Sequence, residues 1–225
     1  MENELRNAVR VTPSTKIRFK CSGCGECCRH VKEGVPVNSQ DAFYLTKHLR
    51  DLGVDICCID QFIDQFAVPA LLDDCGYFVY FLKSVGENDA CIFLNENHCS
   101  VQTAKPLACR LYPFMVDPGE SGNYSYLYSR ERTHHFHGPV VETRSWMKKF
   151  FQQESREFMR LDYGYTVPIA SLLRKIPEER KTGALLHFYR LRYSEYDLDQ
   201  PFLDQFRRNQ ENLLAILTRM AEENK

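Results

Sequence analysis

No stretch of this 225-residue chain approaches the roughly 18 to 20 consecutive apolar residues that a membrane-crossing helix requires, so no membrane-spanning segment is expected. Nor is there a surplus of positive charge. Lysine and arginine number 29 against 30 aspartates and glutamates, a formal net charge of −1, and the whole chain gives no electrostatic reason to expect nucleic acid. Met1-Glu2-Asn3-Glu4-Leu5 lacks the basic-then-apolar pattern of a secretory signal, which makes the cytoplasm the expected location. Glycine-rich nucleotide-binding loops are missing, as are Ser/His/Asp and paired-carboxylate signatures, so hydrolase and NTPase readings find no support. Cysteine is absent from everything after Cys109, which confines cysteine chemistry to the first half.

What that half holds is ten cysteines. In a reducing compartment they read as ligands rather than as a disulfide framework. A hydrophobic content of 44% supports an ordinary core, so metal is not needed merely to reach a foldable size.

The patterning predicts an α+β chain. A small cysteine-rich metal-binding half (17–140) with a short antiparallel hairpin precedes a mostly helical extension (141–225) packed on it. A helix is predicted from Asn38 or Ser39 to Leu52, ended by Gly53, and a second from Asp55 to Phe66. Strands are predicted at Tyr77–Leu82, Ala90–Leu94 and Tyr124–Tyr128, with a helical turn from Thr103 to Leu111. Further helices are expected over Thr143–Arg160, Pro168–Lys175, Glu178–Tyr193 and Phe202–Glu223.

Three cysteines, Cys21, Cys24 and Cys27, share a two-residue spacing, and Cys28 follows directly. Such spacing turns sulfurs inward on one small loop, and soft thiolate selects zinc, copper(I) or iron–sulfur clusters. Gly23 and Gly25 remove side chains where that loop must curl. Adjacent side chains such as those of Cys27 and Cys28 normally point in different directions, which suits a cluster or two neighbouring metals better than one tetrahedral ion.

Cys21-Ser22-Gly23-Cys24-Gly25-Glu26-Cys27-Cys28-Arg29, then Cys91-Ile92-Phe93-Leu94 and Cys99-Ser100-Val101, then Lys105-Pro106-Leu107-Ala108-Cys109-Arg110-Leu111-Tyr112-Pro113-Phe114, resembles the zinc- or iron-chelating cysteine-cluster family with its CxxCxxCC motif. The resemblance implies a metal site built from Cys21, Cys24, Cys27, Cys28, Cys91, Cys99 and Cys109. The family carries an eighth cysteine followed closely by glycine, and here Phe136-His137-Gly138-Pro139 has histidine in that place. His137 would then replace the thiolate, and eight ligands would serve two four-coordinate centres. A more distant resemblance to flagellin lysine N-methylases implies methyl transfer from S-adenosylmethionine, although no glycine-rich signature accompanies it.

Arg29 and Arg110 each follow a ligand cysteine, where they would neutralise thiolate charge or hold an anionic cofactor or substrate. Cys57, Cys58 and Cys75 lie outside the motifs and are expected in the core. His134 and His135 belong to no motif and are expected as exposed loop residues. The expected cofactor is an iron–sulfur cluster, a 4Fe–4S centre among the forms, or zinc. Three functions stay open: an iron–sulfur protein with a redox or maturation role, a zinc-stabilised module whose helical half binds a protein partner, and a methyltransferase-like enzyme.

Overall fold

The computed structural model describes residues 8–119, 123–130 and 132–222, so the opening residues read above and Glu223 lie outside it. The chain begins with β1 (Ala8–Val11), β2 (Lys16–Arg18), β3 (Pro36–Val37), α1 (Ser39–Asp51), α2 (Ile59–Phe66), β4 (Ala67–Leu71) and β5 (Phe78–Leu82). Two tight hairpins follow, β6 (Ser84–Val85) with β7 (Ala90–Cys91), and β8 (Leu94–Asn95) with β9 (His98–Cys99). Then come α3 (Leu107–Leu111), β10 (Phe114–Pro118), β11 (Tyr124–Ser129), β12 (Val140–Glu142) and α4 (Thr143–Phe150). The helices α5 (Gln153–Lys175), α6 (Glu178–Tyr189) and α7 (Phe202–Glu222) complete the order. Small sheets in the first half and helices through most of the second make an α+β chain. Among the described residues no helix is long and apolar enough to cross a membrane.

Two compact units, each discontinuous in sequence, divide the chain: Met1–Pro36 with Leu82–Glu157, and Val37–Phe81 with Phe158–Lys225. In the first unit β11 lies between β1 and β10, antiparallel to both, with Tyr126 opposite Val11 on one side and Val116 on the other. Aromatic and branched residues along Tyr124–Ser129 suit this central position. β2 pairs antiparallel with β12, Ile17 facing Val141, and thereby draws residues 134–139 against the start of the cysteine loop. The buried ring of Phe19 meets Tyr112, His135 and Trp146 edge-on, and the Trp146 indole N–H donates to the Leu111 carbonyl at 2.9 Å.

The second unit has a phenylalanine core that includes Phe43, Phe62, Phe188, Phe202 and Phe206. Helix α1 starts as its sequence demands. The Asn38 side chain accepts from the Asp41 N–H at 2.8 Å while Asp41 accepts from the Asn38 N–H, a reciprocal cap. After α6 one π-helical turn, Arg190–Ser194, carries Arg192 into the interior. Its guanidinium donates to Asp162 Oδ1 at 2.6 Å and Gln210 Oε1 at 3.1 Å, and lies over the Tyr77 ring.

Several expectations are corrected: the helix read over Thr143–Arg160 breaks between α4 and α5, and the strand read over Ala90–Leu94 is split between β7 and β8. Helix α2 begins at Ile59, so Cys58 is its N-cap and Cys57 lies exposed in the preceding loop, whereas Cys75 is buried as expected. The reason is local: the Cys57 N–H is capped by the Gln61 side chain at 2.7 Å instead of entering a helical turn. Helix α5 also runs unbroken through Pro168. Both Pro168 and Gly164, whose carbonyl loses its helical partner, are exposed to water, and continuity buries Ile169 and Leu173.

Candidate metal centre

The cysteine loop is held at both ends. At its start, the Phe19 N–H donates to the Pro139 carbonyl at 3.1 Å and the Lys20 N–H to that of His135 at 3.0 Å. At its end, the His30 N–H donates to the Asn88 carbonyl at 2.8 Å and the Val31 N–H to that of Asp89 at 3.0 Å. The first pair of bonds sets the loop beside His134 and His135. The second sets it beside the hairpins that carry Cys91 and Cys99.

Arg29 closes the loop internally. Its guanidinium donates to the Cys24 carbonyl at 3.0 Å, to the Glu96 carbonyl at 3.1 Å and to Asn97 Oδ1 at 2.7 Å, with Glu26 3.6 Å away. It acts as a staple between the loop and the β8–β9 turn. Gly25 makes the approach feasible. Its φ of 71° is left-handed, and a Cβ there would lie 2.8 Å from Arg29 Nη1 and 3.1 Å from Asn97 Cα. Gly23 is also left-handed, at 67°, but a Cβ there would meet nothing within 4 Å. Gly25→Ala is therefore expected to destabilise the first unit by clearly more than the ~1 kcal/mol expected for Gly23→Ala, as read by urea unfolding followed through Trp146.

The ligand candidates fall into two groups, linked electrostatically through Cys24 and Cys27. In the first, Cys24 Sγ lies 3.4 Å from His134 Nε2 and 3.2 Å from His135 Nε2, and the three atoms are within 4.8 Å of one another. Among the described residues this is the one triad of metal-ligating atoms that converges so closely. The Cys24 thiol is held down at about 6 by hydrogen bonds, first from Ser22, then from His134 and His135.

In the second group Cys27 and Cys28, their sulfurs 3.8 Å apart, share an electrostatic environment with Cys91, Cys99 and Cys109. These five come from four segments: the loop, β7, β9 and α3. The hydrogen bond from Cys28 lowers Cys27 to about 7, and the same bond, with burial and neighbouring thiols, drives Cys28 up. Burial is the main cause raising Cys91, Cys99 and Cys109, and their sulfur neighbours raise them further. Lys105 opposes the rise at Cys99 and Cys109 and adds to the lowering at Cys27. Without a further cation such a group carries little negative charge. A soft cation, or a cluster with the same preference, is what these sulfurs fit.

Cys21 lies exposed at the mouth of the loop, outside the converging triad. His137 is exposed too, and its Nδ1 lies 2.5 Å from the His134 carbonyl oxygen, a contact inside its own turn. Arg110 sits on α3 with a buried Nε that has no hydrogen-bond partner among the described residues. His135 corrects the expectation of an exposed loop residue: it is 2% exposed, because its ring packs on Phe19 while Tyr112 Oη meets its Nδ1 at 2.9 Å. The sequence signal was the adjacency His134-His135 just before Phe136-His137-Gly138.

Residues 20–137 match the model of the CxxCxxCC family, described as a putative zinc- or iron-chelating domain. The chain belongs to this family. No curated protein and no solved structure matches it. The CxxCxxCC domain contains both ligand groups, and His137 is its last matched residue. Cys57, Cys58 and Cys75 lie within the matched span by number but belong to the other compact unit.

Proposed function

We propose that the CxxCxxCC domain holds an iron–sulfur cluster on the thiols of Cys27, Cys28, Cys91, Cys99 and Cys109, and that its role is redox transfer or the maturation of other proteins. The observation that carries this reading is the composition of the group. Five cysteines share one electrostatic environment, with the cation Lys105 beside them. Four thiolates satisfy a 4Fe–4S cluster, whose separate irons can each take one of these sulfurs, the adjacent Cys27 and Cys28 included.

Bound there, a cluster would supply one-electron chemistry. The chain's own residues would set its conditions. Cys91 is buried whereas Cys27 is exposed, so one edge of the group meets solvent, and Lys105 offsets the negative charge of the thiolates, favouring the reduced state. The reading also implies a reducing compartment, where the thiols persist until metal arrives.

Four thiolates can also hold a tetrahedral zinc, so composition has to be measured. Protein purified without oxygen is expected to contain iron and acid-labile sulfide in matching amounts and to absorb in the visible, with bleaching on reduction. Zinc without sulfide would replace the cluster by a structural ion and end the redox reading.

A further inference from the structure

We infer that Cys24, His134 and His135 form a second metal centre, separate from the thiol group, which takes one zinc ion and leaves one coordination position for water or a small anion. This goes beyond the cluster reading and does not depend on it.

The geometry comes first. Around a tetrahedral zinc, bond lengths of about 2.3 Å to sulfur and about 2.0–2.1 Å to nitrogen place the two donor atoms about 3.5 Å apart. Cys24 Sγ lies 3.4 Å and 3.2 Å from the two imidazole Nε2 atoms, close to that separation, and all three atoms lie within 4.8 Å of one another. These donors come from two segments that the fold has to bring together, since 111 residues separate Cys24 from His135.

Support for the ligands is built in. Tyr112 Oη, 2.9 Å from His135 Nδ1, holds the ring with Nε2 towards Cys24. A hydroxyl can donate to Nδ1 or accept from it, so the contact survives when a metal takes Nε2 and the proton moves to Nδ1. Phe19 packs edge-on against the same ring. The turn that carries His134 is closed by the contact between its carbonyl and His137 Nδ1.

The donor set then selects the ion and its use. One thiolate and two neutral imidazoles suit zinc, and they leave the centre with a net charge of +1, which favours an anionic fourth ligand. Three protein ligands with an open position are the pattern of zinc sites that bind exchangeable molecules, whereas closed structural sites use four. His134 is exposed and Cys24 half-buried, so the remaining position faces solvent.

The test uses the full-length protein, with metal analysis and cobalt(II) substitution. Exposed His134 can be changed with little risk to folding, and His134→Ala should remove one equivalent of zinc and the thiolate-to-cobalt charge-transfer band while iron and sulfide stay constant. Cys27→Ser should do the reverse. Azide should shift the cobalt bands of the wild-type protein. Zinc-edge X-ray absorption on unmodified protein should show mixed nitrogen and sulfur scattering, a readout independent of any variant. Unchanged zinc in His134→Ala, sulfur-only scattering, or loss of iron together with zinc would overturn the second centre. Cobalt bands indifferent to azide would overturn its open position. Absence of iron and sulfide from the wild-type protein would instead sink the cluster reading and leave this test intact.

Discussion

Cys109→Ser is expected to empty the thiol group and to unfold the first unit under conditions in which the wild-type unit is folded. Cys109 sits on the short helix α3, whose Leu107 and Leu111 are buried in the unit's core, and burial holds its thiol neutral in the absence of metal. Metal binding to such a residue is inseparable from folding. Structural zinc contributes roughly 10–16 kcal/mol in peptides that have no other core. Here Phe19, Phe93, Phe114 and Met147 supply a core of their own, so only part of that range should be lost. Trp146, the single tryptophan, packs on Phe19 and Phe114 and reports this unit by fluorescence. Cys57→Ser, an exposed change in the other unit, should leave metal content and the Trp146 transition unchanged. Equal metal loss in both variants would show that the ligand group has been misplaced.

Arg192→Met should have a comparable effect on the second unit, for a different reason. The arginine is 4% exposed, and its removal strands Asp162, a carboxylate already raised by burial and lowered by Arg192. Breaking a buried pair at one end costs about 3–5 kcal/mol, and because the Asp162 side chain keeps 26% of its exposure, the lower end of about 3 kcal/mol is expected. The sign of the pH dependence follows. Without Arg192 the folded-state value of Asp162 moves further above the unfolded value of about 3.9, so the folded variant binds a proton that the unfolded chain releases. The penalty is full above that raised value and shrinks as the pH falls towards about 4. Urea unfolding of variant and wild type across acid pH, followed by far-UV circular dichroism, measures it. A difference that grows on acidification would exclude Asp162 as the stranded partner.

Elements whose cause is local were legible in the sequence. Helix α1 carries its own start signal in Asn38 and Asp41, and β5 its run of aromatic and branched residues. The cysteine loop announces itself by spacing. The strands β1, β2 and β12 were not legible, because each has four residues or fewer and takes its identity from a distant partner, as Ile17 does from Val141. The same blindness hid the division of the ligands. Spacing along the chain groups Cys24 with Cys27, and the two stay electrostatic neighbours, but the fold also turns Cys24 towards His134 and His135 and brings Cys109 near Cys27. His134 and His135 sit in no motif, and only the β2–β12 pairing says what they face.

That pairing also bears on the order of events at the ribosome. The four thiols at 21–28 are synthesised first, and their loop is fixed at its start by backbone bonds to His135 and Pro139, made more than a hundred residues later. Until that segment has left the exit tunnel, only the other end of the loop has its backbone partners, Asn88 and Asp89. The triad of Cys24, His134 and His135 therefore comes together only after most of the protein has been translated.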